Sequence, residues 1–209
     1  TGEATVTSSL TFTNANWNSA QTVTVTGVDD NIIDGTITSN ITIAVLDETS
    51  DNAFDSLSDQ TVSVTTTDND VAGFTIAQSG GSTSVSESGT TDTFTIVLNA
   101  QPTSNVVLSI SSSDTGEATV TSLLSFTTAN WNSAQTVTVT GVDDNLVDGT
   151  KNSTITITVV DVISDDSFDS VADQTVSAAT TDNDVAGFTI TQSGGSTSVS
   201  ESGSTDTFT

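Results

Sequence analysis

The chain has 209 residues, with 27 Asp and Glu residues against a single cation, Lys151, so its formal net charge is −26 at pH 7. This charge repels nucleic-acid phosphates and anionic membrane surfaces, which excludes nucleic acid and makes cations the expected partners. No Cys is present, and no apolar stretch reaches the roughly 18 residues of a membrane span, so we expect neither disulfides nor direct membrane insertion. A low apolar content with high net charge is also typical of disordered chains.

The sequence repeats itself at an offset of 114 residues. Residues 1–70 match residues 115–184 at 52 of 70 positions, and residues 71–95 match residues 185–209 at 23 of 25. A tandem repeat of domain length indicates an array in which each unit buries its own core. We predict the C-terminal part of one repeat at 1–70, a complete repeat at 71–184 and the N-terminal part of the next repeat at 185–209.

The two incomplete ends raise the question of pairing between molecules. Together they supply 95 of the 114 residues of a repeat, and the missing 19 match Ile96–Asp114, with the apolar runs TIVL and VVLSI. We therefore expect that such a hybrid does not close a full core and that the chain is a window of a longer array. Neighbouring repeats are the expected protein partners, and lateral or head-to-tail self-association is left open.

Alternation of β-branched and polar residues argues against disorder. It appears in TFTIVL from Thr93, NVVLSIS from Asn105, QTVTVTGV from Gln135 and STITITVV from Ser153. Such runs place Val, Ile, Leu and Phe on one face and Thr and Ser on the other, which is typical of half-buried antiparallel strands. No segment has helical periodicity. The sequence predicts an all-β fold, with tandem immunoglobulin-like sandwiches of about seven strands per repeat.

Catalysis has little support in the residue content. His, Cys, Tyr and Arg are absent, and no Ser lies in a GxSxG context, so general bases and activated nucleophiles are scarce. Paired carboxylates act in glycosidases, but the same acids recur in each copy of this repeat. We predict that the chain is not an enzyme.

The acids of the complete repeat cluster next to predicted strands. Loops at one end of a sandwich lie close together, so acids distant in sequence share one site. Neighbouring carboxylates repel each other, and the chain has no Arg to compensate them. Calcium accepts six to eight oxygen ligands in loose geometry, whereas zinc prefers His or Cys and magnesium requires a tighter octahedron. The acids therefore predict a calcium site.

Three motifs of this chain resemble the Calx-beta repeat: SVSESG from Ser84, VTVTGV running into DDNLVDG, and TTDND before VAGF. The resemblance covers the whole 114-residue unit and implies an immunoglobulin-like sandwich that binds calcium at one end, near the junction with the next domain. In the complete repeat it implies the ligands Glu87, Asp114, Asp143, Asp144, Asp148, Asp182 and Asp184. In the first part it implies Asp29, Asp30, Asp34, Asp68 and Asp70, and in the third part Glu201.

The repeat itself favours a site over solvated loops. Of 70 aligned positions 18 differ, yet the five predicted ligands of the first part all recur as Asp in the second copy. A second acidic stretch, VVDVISDDSFDSVADQ from Val159, differs from its copy at several positions, which predicts an exposed loop and leaves a weaker ion site as an alternative. Trp17 and Trp131 are interpreted as aromatic plugs over the sandwich edge, with a sugar-stacking platform as the alternative.

The function predicted from these features is structural. We expect a calcium-stabilised extender or stalk segment of a long extracellular bacterial adhesin or surface fibre, at the cell surface or secreted, in which calcium stiffens a string of domains. One alternative is a module that binds a glycan or a protein partner with avidity along the array. Another is a calcium-sensing regulatory domain, which requires micromolar affinity.

Overall fold

The computed structural model describes residues 2–209, which form strands connected by loops and short 3-10 turns. Within these residues there is no helix whose length and apolar content would allow it to cross a membrane. The strands are β1 (Ala4–Val6), β2 (Val25–Gly27), β3 (Ile37–Ile43), β4 (Gln60–Thr66), β5 (Phe74–Gln78), β6 (Thr83–Ser86), β7 (Thr91–Leu98), β8 (Val106–Ser112), β9 (Ala118–Val120), β10 (Leu123–Phe126), β11 (Gln135–Gly141), β12 (Lys151–Val159) and β13 (Gln174–Thr181). The 3-10 turns are Asp47–Thr49, Ser79–Gly81, Asp161–Ile163, Asp166–Phe168 and Ser193–Gly195.

Nine of the strands, β5 to β13, form the two sheets of a sandwich within residues 71–184. One sheet has the order β10-β8-β12-β13-β6, and the other has the order β5-β7-β11-β9. Neighbouring strands are antiparallel except for β6, which runs parallel to β13. The predicted all-β sandwich is confirmed.

The nine strands follow seven continuous paths, because two paths change from one sheet to the other. Strand β5 pairs with β7, whereas β6 pairs with β13 in the opposite sheet. The turn Ser79–Gly81 redirects the chain between them, with Gly80 at a φ of 65° that favours glycine. In the same way β9 pairs with β11 and β10 pairs with β8. The prediction of about seven strands therefore corresponds to these seven paths, two of which are each divided into two strands.

The core is built from the apolar faces that the alternation predicts. Strand β7 buries Phe94, Ile96 and Leu98, while the intervening Thr and Val side chains are half-buried. Burying one such side chain contributes about 1.5–3 kcal/mol before the entropic cost of ordering it. Every buried apolar side chain among the described residues lies between Phe74 and Ala178. The apolar core thus lies within the predicted complete repeat.

Trp131 closes one edge of this core. Its side chain is half-buried against the core cluster, and its carbonyl oxygen accepts a hydrogen bond from the Leu98 N–H at 3.1 Å. Its counterpart in the first copy, Trp17, is 71% exposed. In the complete repeat the Trp thus packs as an aromatic plug.

The residues before and after the sandwich expose the side chains that their counterparts bury. The residues before the sandwich form two small sheets, β1-β2 and β3-β4. The described residues after β13 form no strand. Phe12 is 55% exposed where Phe126 is fully buried, and Phe208 is 64% exposed where Phe94 is 1% exposed. The exposure follows from the absence of partner strands, since the side chains themselves are the same.

A short loop of the first copy contacts the complete repeat. Ile32 forms a parallel bridge with Gln101, whose N–H donates to the Asn31 carbonyl oxygen at 2.6 Å. Ile33 packs, half-buried, against the core of the sandwich. This loop, Asn31–Ile33, lies between the acids Asp30 and Asp34 in sequence.

Candidate metal centre

Four segments bring acids to one end of the sandwich. Glu87 directly follows β6, and Asp182 and Asp184 follow β13, which runs parallel to β6 and so ends beside it. Asp148 lies in the loop between β11 and β12. Glu117 directly precedes β9, the neighbour of β11. The parallel pairing of β6 and β13 is therefore what places the first acid of the repeat next to the last ones.

Two overlapping groups of carboxylates meet at this end. Oxygen atoms of Glu87, Glu117 and Asp148 lie within 4.8 Å of one another, and so do oxygen atoms of Glu87, Asp182 and Asp184. Glu87 belongs to both groups and is only 1% exposed. Because like charges at this separation repel strongly, a cation between them would stabilise the folded state.

Two oxygen atoms of this cluster are buried without any donor. They are Oε2 of Glu117 and Oδ2 of Asp184. A buried acceptor that lacks a partner costs free energy, which a metal ion at the same position would recover. The donor set consists of carboxylate oxygens with no nitrogen or sulfur, which fits calcium and does not fit zinc. The residues present therefore fit a calcium ion.

Asp182 organises the loop around the cluster. Its Oδ2 accepts hydrogen bonds from the backbone N–H groups of Gly149 at 2.7 Å and Asp148 at 2.9 Å, and its Oδ1 accepts one from Asp184 at 2.6 Å. The bonds from Gly149 and Asp184 hold the pKa of Asp182 below its ordinary value. Asp182 is thus kept charged while it ties the loop between β11 and β12 to the end of β13.

The pKa values of the other central acids shift upward. The backbone N–H of Asn183 donates to Glu87 at 3.1 Å and lowers its pKa, but burial and the nearby Asp182 and Asp144 carboxylates outweigh this bond, so the pKa is raised. Burial, and next the charge of Asp148, raises the pKa of Glu117. Burial, and next Asp182, raises the pKa of Asp184. Without a cation the site disfavours full ionisation.

Three further predicted ligands lie at the rim and are engaged in loop hydrogen bonds. Asp143 Oδ1 accepts from the Asn183 side-chain amide at 2.8 Å. Asp144 Oδ1 accepts from the Leu146 N–H at 2.6 Å, and Asp114 Oδ1 accepts from the Gly116 N–H at 3.0 Å. The charges of Asp114 and Asp144 contribute to the raised pKa of Glu117, so both are close to the cluster.

Glu117 is a candidate ligand that the sequence reasoning missed. It is buried and lies in TGEATV, directly after the predicted ligand Asp114 and its short loop. The available signal was its recurrence as Glu3 in the first copy, in an otherwise identical segment. Glu117 is a single acid directly before a strand, and only the fold shows that this strand end faces Glu87.

The first copy shows the same loop geometry without a complete cluster. Asp68 accepts from the N–H groups of Gly35 at 2.9 Å, Asp34 at 3.1 Å and Asp70 at 2.7 Å. Its pKa is lowered by the bonds from Asp70 and Gly35, while burial and the charges of Asp68 and Asp29 raise the pKa of Asp70. Asp30 accepts from the Ile32 N–H at 2.8 Å. Within residues 2–70 no three acids come within ligand distance of one another.

Two other acidic regions do not form clusters in the described part of the chain. Glu201 lies exposed in the turn that follows Ser200. In the second acidic stretch Asp165 is buried, not exposed as the sequence predicts for this loop. Both of its oxygens accept hydrogen bonds, from the N–H and hydroxyl groups of Thr103, Ser104 and Ser167 at 2.6–3.4 Å. Asp165 therefore joins two loops and has no free oxygen for an ion.

No protein-family model and no curated protein sequence matches the chain. Solved structures do align with it. The E. coli chaperone DraB is 9% identical, with 56% of this chain and 59% of DraB covered and a TM-score of 0.39. Domains 4 and 5 of the S-layer protein SbsC are 26% identical, with 58% of this chain and 59% of that structure covered and a TM-score of 0.36. The apo form of the Calx CBD1 domain is 13% identical, with 53% and 98% covered and a TM-score of 0.38.

Proposed function

We propose that the chain is a calcium-stabilised structural segment, an extender or stalk, of a long extracellular adhesin or surface fibre, and that it has no enzymatic role. Calcium at the acidic end of each sandwich neutralises the cluster and thereby stiffens the junction with the next repeat. Exposure to extracellular calcium would keep sites of modest affinity filled.

One observation carries this proposal: the acidic loop of one repeat is also the loop that contacts the next. Asn31, Ile32 and Ile33 form the bridge and the apolar contact with the complete repeat. The flanking Asp30 and Asp34 belong to the acidic loop, and Asp68 accepts from the Asp34 N–H at 3.1 Å. The equivalents of Asp34 and Asp68 in the complete repeat, Asp148 and Asp182, belong to the acidic cluster, so an ion held at such a cluster would reduce the freedom of the segment on which the next domain rests.

The test is thermal unfolding of the 209-residue protein in chelator, calcium and magnesium. We expect a calcium-specific rise in melting temperature, because an ion that binds only the folded cluster stabilises it by mass action. Glu117→Gln should remove most of this rise. Glu48→Gln is the matched control, because it makes the same charge change at a residue in the exposed turn Asp47–Thr49 and should leave the rise intact. Equal melting temperatures in chelator and calcium would contradict the proposal.

A further inference from the structure

The chain enters and leaves the complete repeat at opposite ends of the sandwich. The side-chain amide of Gln174, the first residue of β13, donates to the Phe74 carbonyl oxygen at 2.8 Å, so the entry lies beside the start of β13. Asp184 follows the end of β13 and lies in the acidic group with Glu87. Tension along an array of repeats therefore pulls the two ends of the sandwich apart along the direction of β13.

Strand β6, near the entry, and the last strand, β13, are direct neighbours that run parallel. Four residue pairs join them, from Thr83 with Ala178 to Ser86 with Thr181. Beyond the last pair the Glu87 N–H donates to the Thr181 carbonyl oxygen at 3.1 Å. Tension pulls β6 toward its N-terminus and β13 toward its C-terminus, so the two strands are driven in opposite directions along one axis. All contacts of the pair are then loaded in shear at the same time.

Contacts on its other sides keep β6 in this pair. The Val85 side chain is 3% exposed, and a Cβ atom on Gly141 of β11 would lie only 2.1 Å from the Ser86 carbonyl oxygen. At the edge away from β13 the Ser84 N–H donates to Asp92 Oδ2 of β7 at 2.9 Å. Because the strand is packed against the opposite sheet and bonded at both edges, it resists sideways displacement and has to slide along β13.

Strand β5 receives the tension before β6 does. It is an edge strand of the other sheet and pairs only with β7, from Phe74 with Leu98 to Gln78 with Phe94. Release of β5 alone leaves the pair of β6 and β13 intact and transfers the load to β6. If the other end yields first, β13 has to leave both β12 and β6. The pair of β6 and β13 therefore breaks in either case before the rest of the sandwich is extended.

One acidic group spans the two strands of this pair. Glu87 directly follows β6, whereas Asp182 and Asp184 follow β13, and oxygen atoms of the three carboxylates lie within 4.8 Å of one another. Oδ2 of Asp184 is buried without a donor. A divalent cation bound by these oxygens would connect the end of β6 to the end of β13. The two strands would then slide apart only after ion ligands are lost.

We propose that β6 and β13 form a mechanical clamp that bears tension along the array, and that a calcium ion between Glu87, Asp182 and Asp184 cross-links its two strands. The clamp follows from the strand geometry alone, whereas the cross-link rests on the proposed function because it requires the same ion. This role differs from stiffening. Stiffening limits bending at the junctions between repeats, whereas the clamp determines the force at which a repeat unfolds.

Single-molecule force spectroscopy of the 209-residue protein in chelator tests the clamp. The chain has no Cys, so a pair of introduced Cys residues determines where the force is applied. Val71→Cys with Val185→Cys reproduces the pull of the array and shears the pair of strands. Ser88→Cys with Val185→Cys places both attachment points at the acidic end and opens the pair one residue at a time. Equal melting temperatures of the two double variants check that both are folded.

We expect a several-fold higher unfolding force when the pair is sheared than when it is opened from one end, because shear loads every residue pair at once. In the sheared variant, unfolding of the repeat is identified by the release of roughly 350 Å of chain. Equal unfolding forces for the two pulling directions would overturn the clamp.

The cross-link is tested in the sheared variant with calcium. At constant force we expect calcium to slow unfolding about tenfold, because forced unfolding is governed by the unfolding rate and the ion holds both strands. Asp184→Asn should remove this effect. Asp173→Asn is the matched control, because it makes the same charge change at an exposed residue directly before β13 and should retain the effect. Slower unfolding in calcium that persists in Asp184→Asn would overturn the cross-link.

Thermal unfolding of the same variants separates this inference from the proposed function. If calcium raises the melting temperature and leaves the unfolding rate under force unchanged, the cross-link is overturned and the proposed function is not. If calcium changes neither quantity while the two pulling directions still differ in force, the clamp is supported, and both the cross-link and the proposed function are contradicted.

Discussion

Two buried carboxylates in this chain represent opposite ways of placing a charge in a folded protein. Asp165 accepts six hydrogen bonds from Thr103, Ser104 and Ser167, so its charge is compensated by the protein itself. Glu117 is equally buried, but its Oε2 has no donor. Since a buried charge without compensation is costly, the protein itself stabilises the charge of the first residue, whereas a bound cation or a proton would stabilise the second.

Asp165 therefore gives a pH-dependent contribution to stability. Burial raises its pKa, but the hydrogen bonds of the Ser167 and Thr103 hydroxyls outweigh burial and hold the pKa well below its ordinary value. The folded-state pKa lies below that of the unfolded chain, so the contribution is present above pH of about 4 and is lost as the pH falls through the folded-state pKa.

Asp165→Asn should cost about 2–4 kcal/mol of unfolding free energy at neutral pH, because the amide presents N–H groups to N–H donors. The difference from wild type should shrink below pH of about 4. Denaturant unfolding from acid to neutral pH measures it. The control is Asp166→Asn, an exposed neighbour whose counterpart in the first copy is Asn52. A cost for Asp165→Asn that stays constant across this pH range would contradict the assignment.

Lys151 is the one cation in the chain, and it lies beside a candidate ligand. Its Nζ is 3.3 Å from Asp148 Oδ2, and both side chains are partly exposed. A bound calcium ion would compete with this charge. Lys151→Ile introduces the residue that the first copy has at Ile37, and we expect it to increase calcium affinity about two- to fivefold, the range of an exposed ion pair. Calorimetric titration measures this change, and an unchanged or weaker affinity would show that Asp148 does not bind the ion.

At the scale of the elements, the strands were predictable and their sheet changes were not. The alternation in β7, β8, β11 and β12 reports which side chains face inward, because this depends on the local period of two. The changes of sheet between β5 and β6 and between β9 and β10 depend on partners far away in sequence. Nothing in the local pattern distinguishes a strand that continues from one that crosses to the other sheet.

The candidate site was predictable only in part, for the same reason. Asp182 and Asp184 follow a strand in a run of acids, and such a pattern is visible in the sequence. Glu117 is a single acid directly before a strand, and Asp165 is one of the four acids from Asp161 to Asp169. Whether each becomes buried depends on which loop packs over it. Burial is therefore a property of the assembled sandwich and not of the segment.

The two copies provide a matched test of the close packing of β6 against Gly141. In Gly141→Ala the new Cβ atom would meet the Ser86 backbone, so β6 must move away from β11. We expect a loss of about 1–3 kcal/mol and a melting temperature lower by several degrees, as for overpacked cores. Gly27→Ala is the same substitution in open space and should leave the melting temperature of the complete repeat unchanged. Equal effects of the two substitutions would contradict the role of the close strand contact.

At the scale of the whole molecule, charge and domain contacts act against each other. The net charge of −26 favours separation of successive acidic ends, whereas the loop Asn31–Ile33 makes an apolar contact that holds the junction together. Screening by salt weakens only the long-range part of the repulsion. Neutralisation by bound cations removes charge at the junction itself. The proposed function therefore requires both the acids and the loop contact.

A substitution of Ile33 tests the loop contact separately from the acids. Ile33→Thr weakens the apolar contact and leaves every carboxylate in place, so calcium should still raise the melting temperature. Small-angle scattering should nevertheless show that the variant keeps a broader distribution of shapes in calcium than the wild type, because the loop Asn31–Ile33 no longer holds the next domain. Val147→Thr is the matched control: its side chain is 59% exposed, and it should scatter like the wild type. If Ile33→Thr gives the wild-type envelope in calcium, the junction is held by something other than this contact, and the acidic clusters stabilise individual domains without stiffening the array.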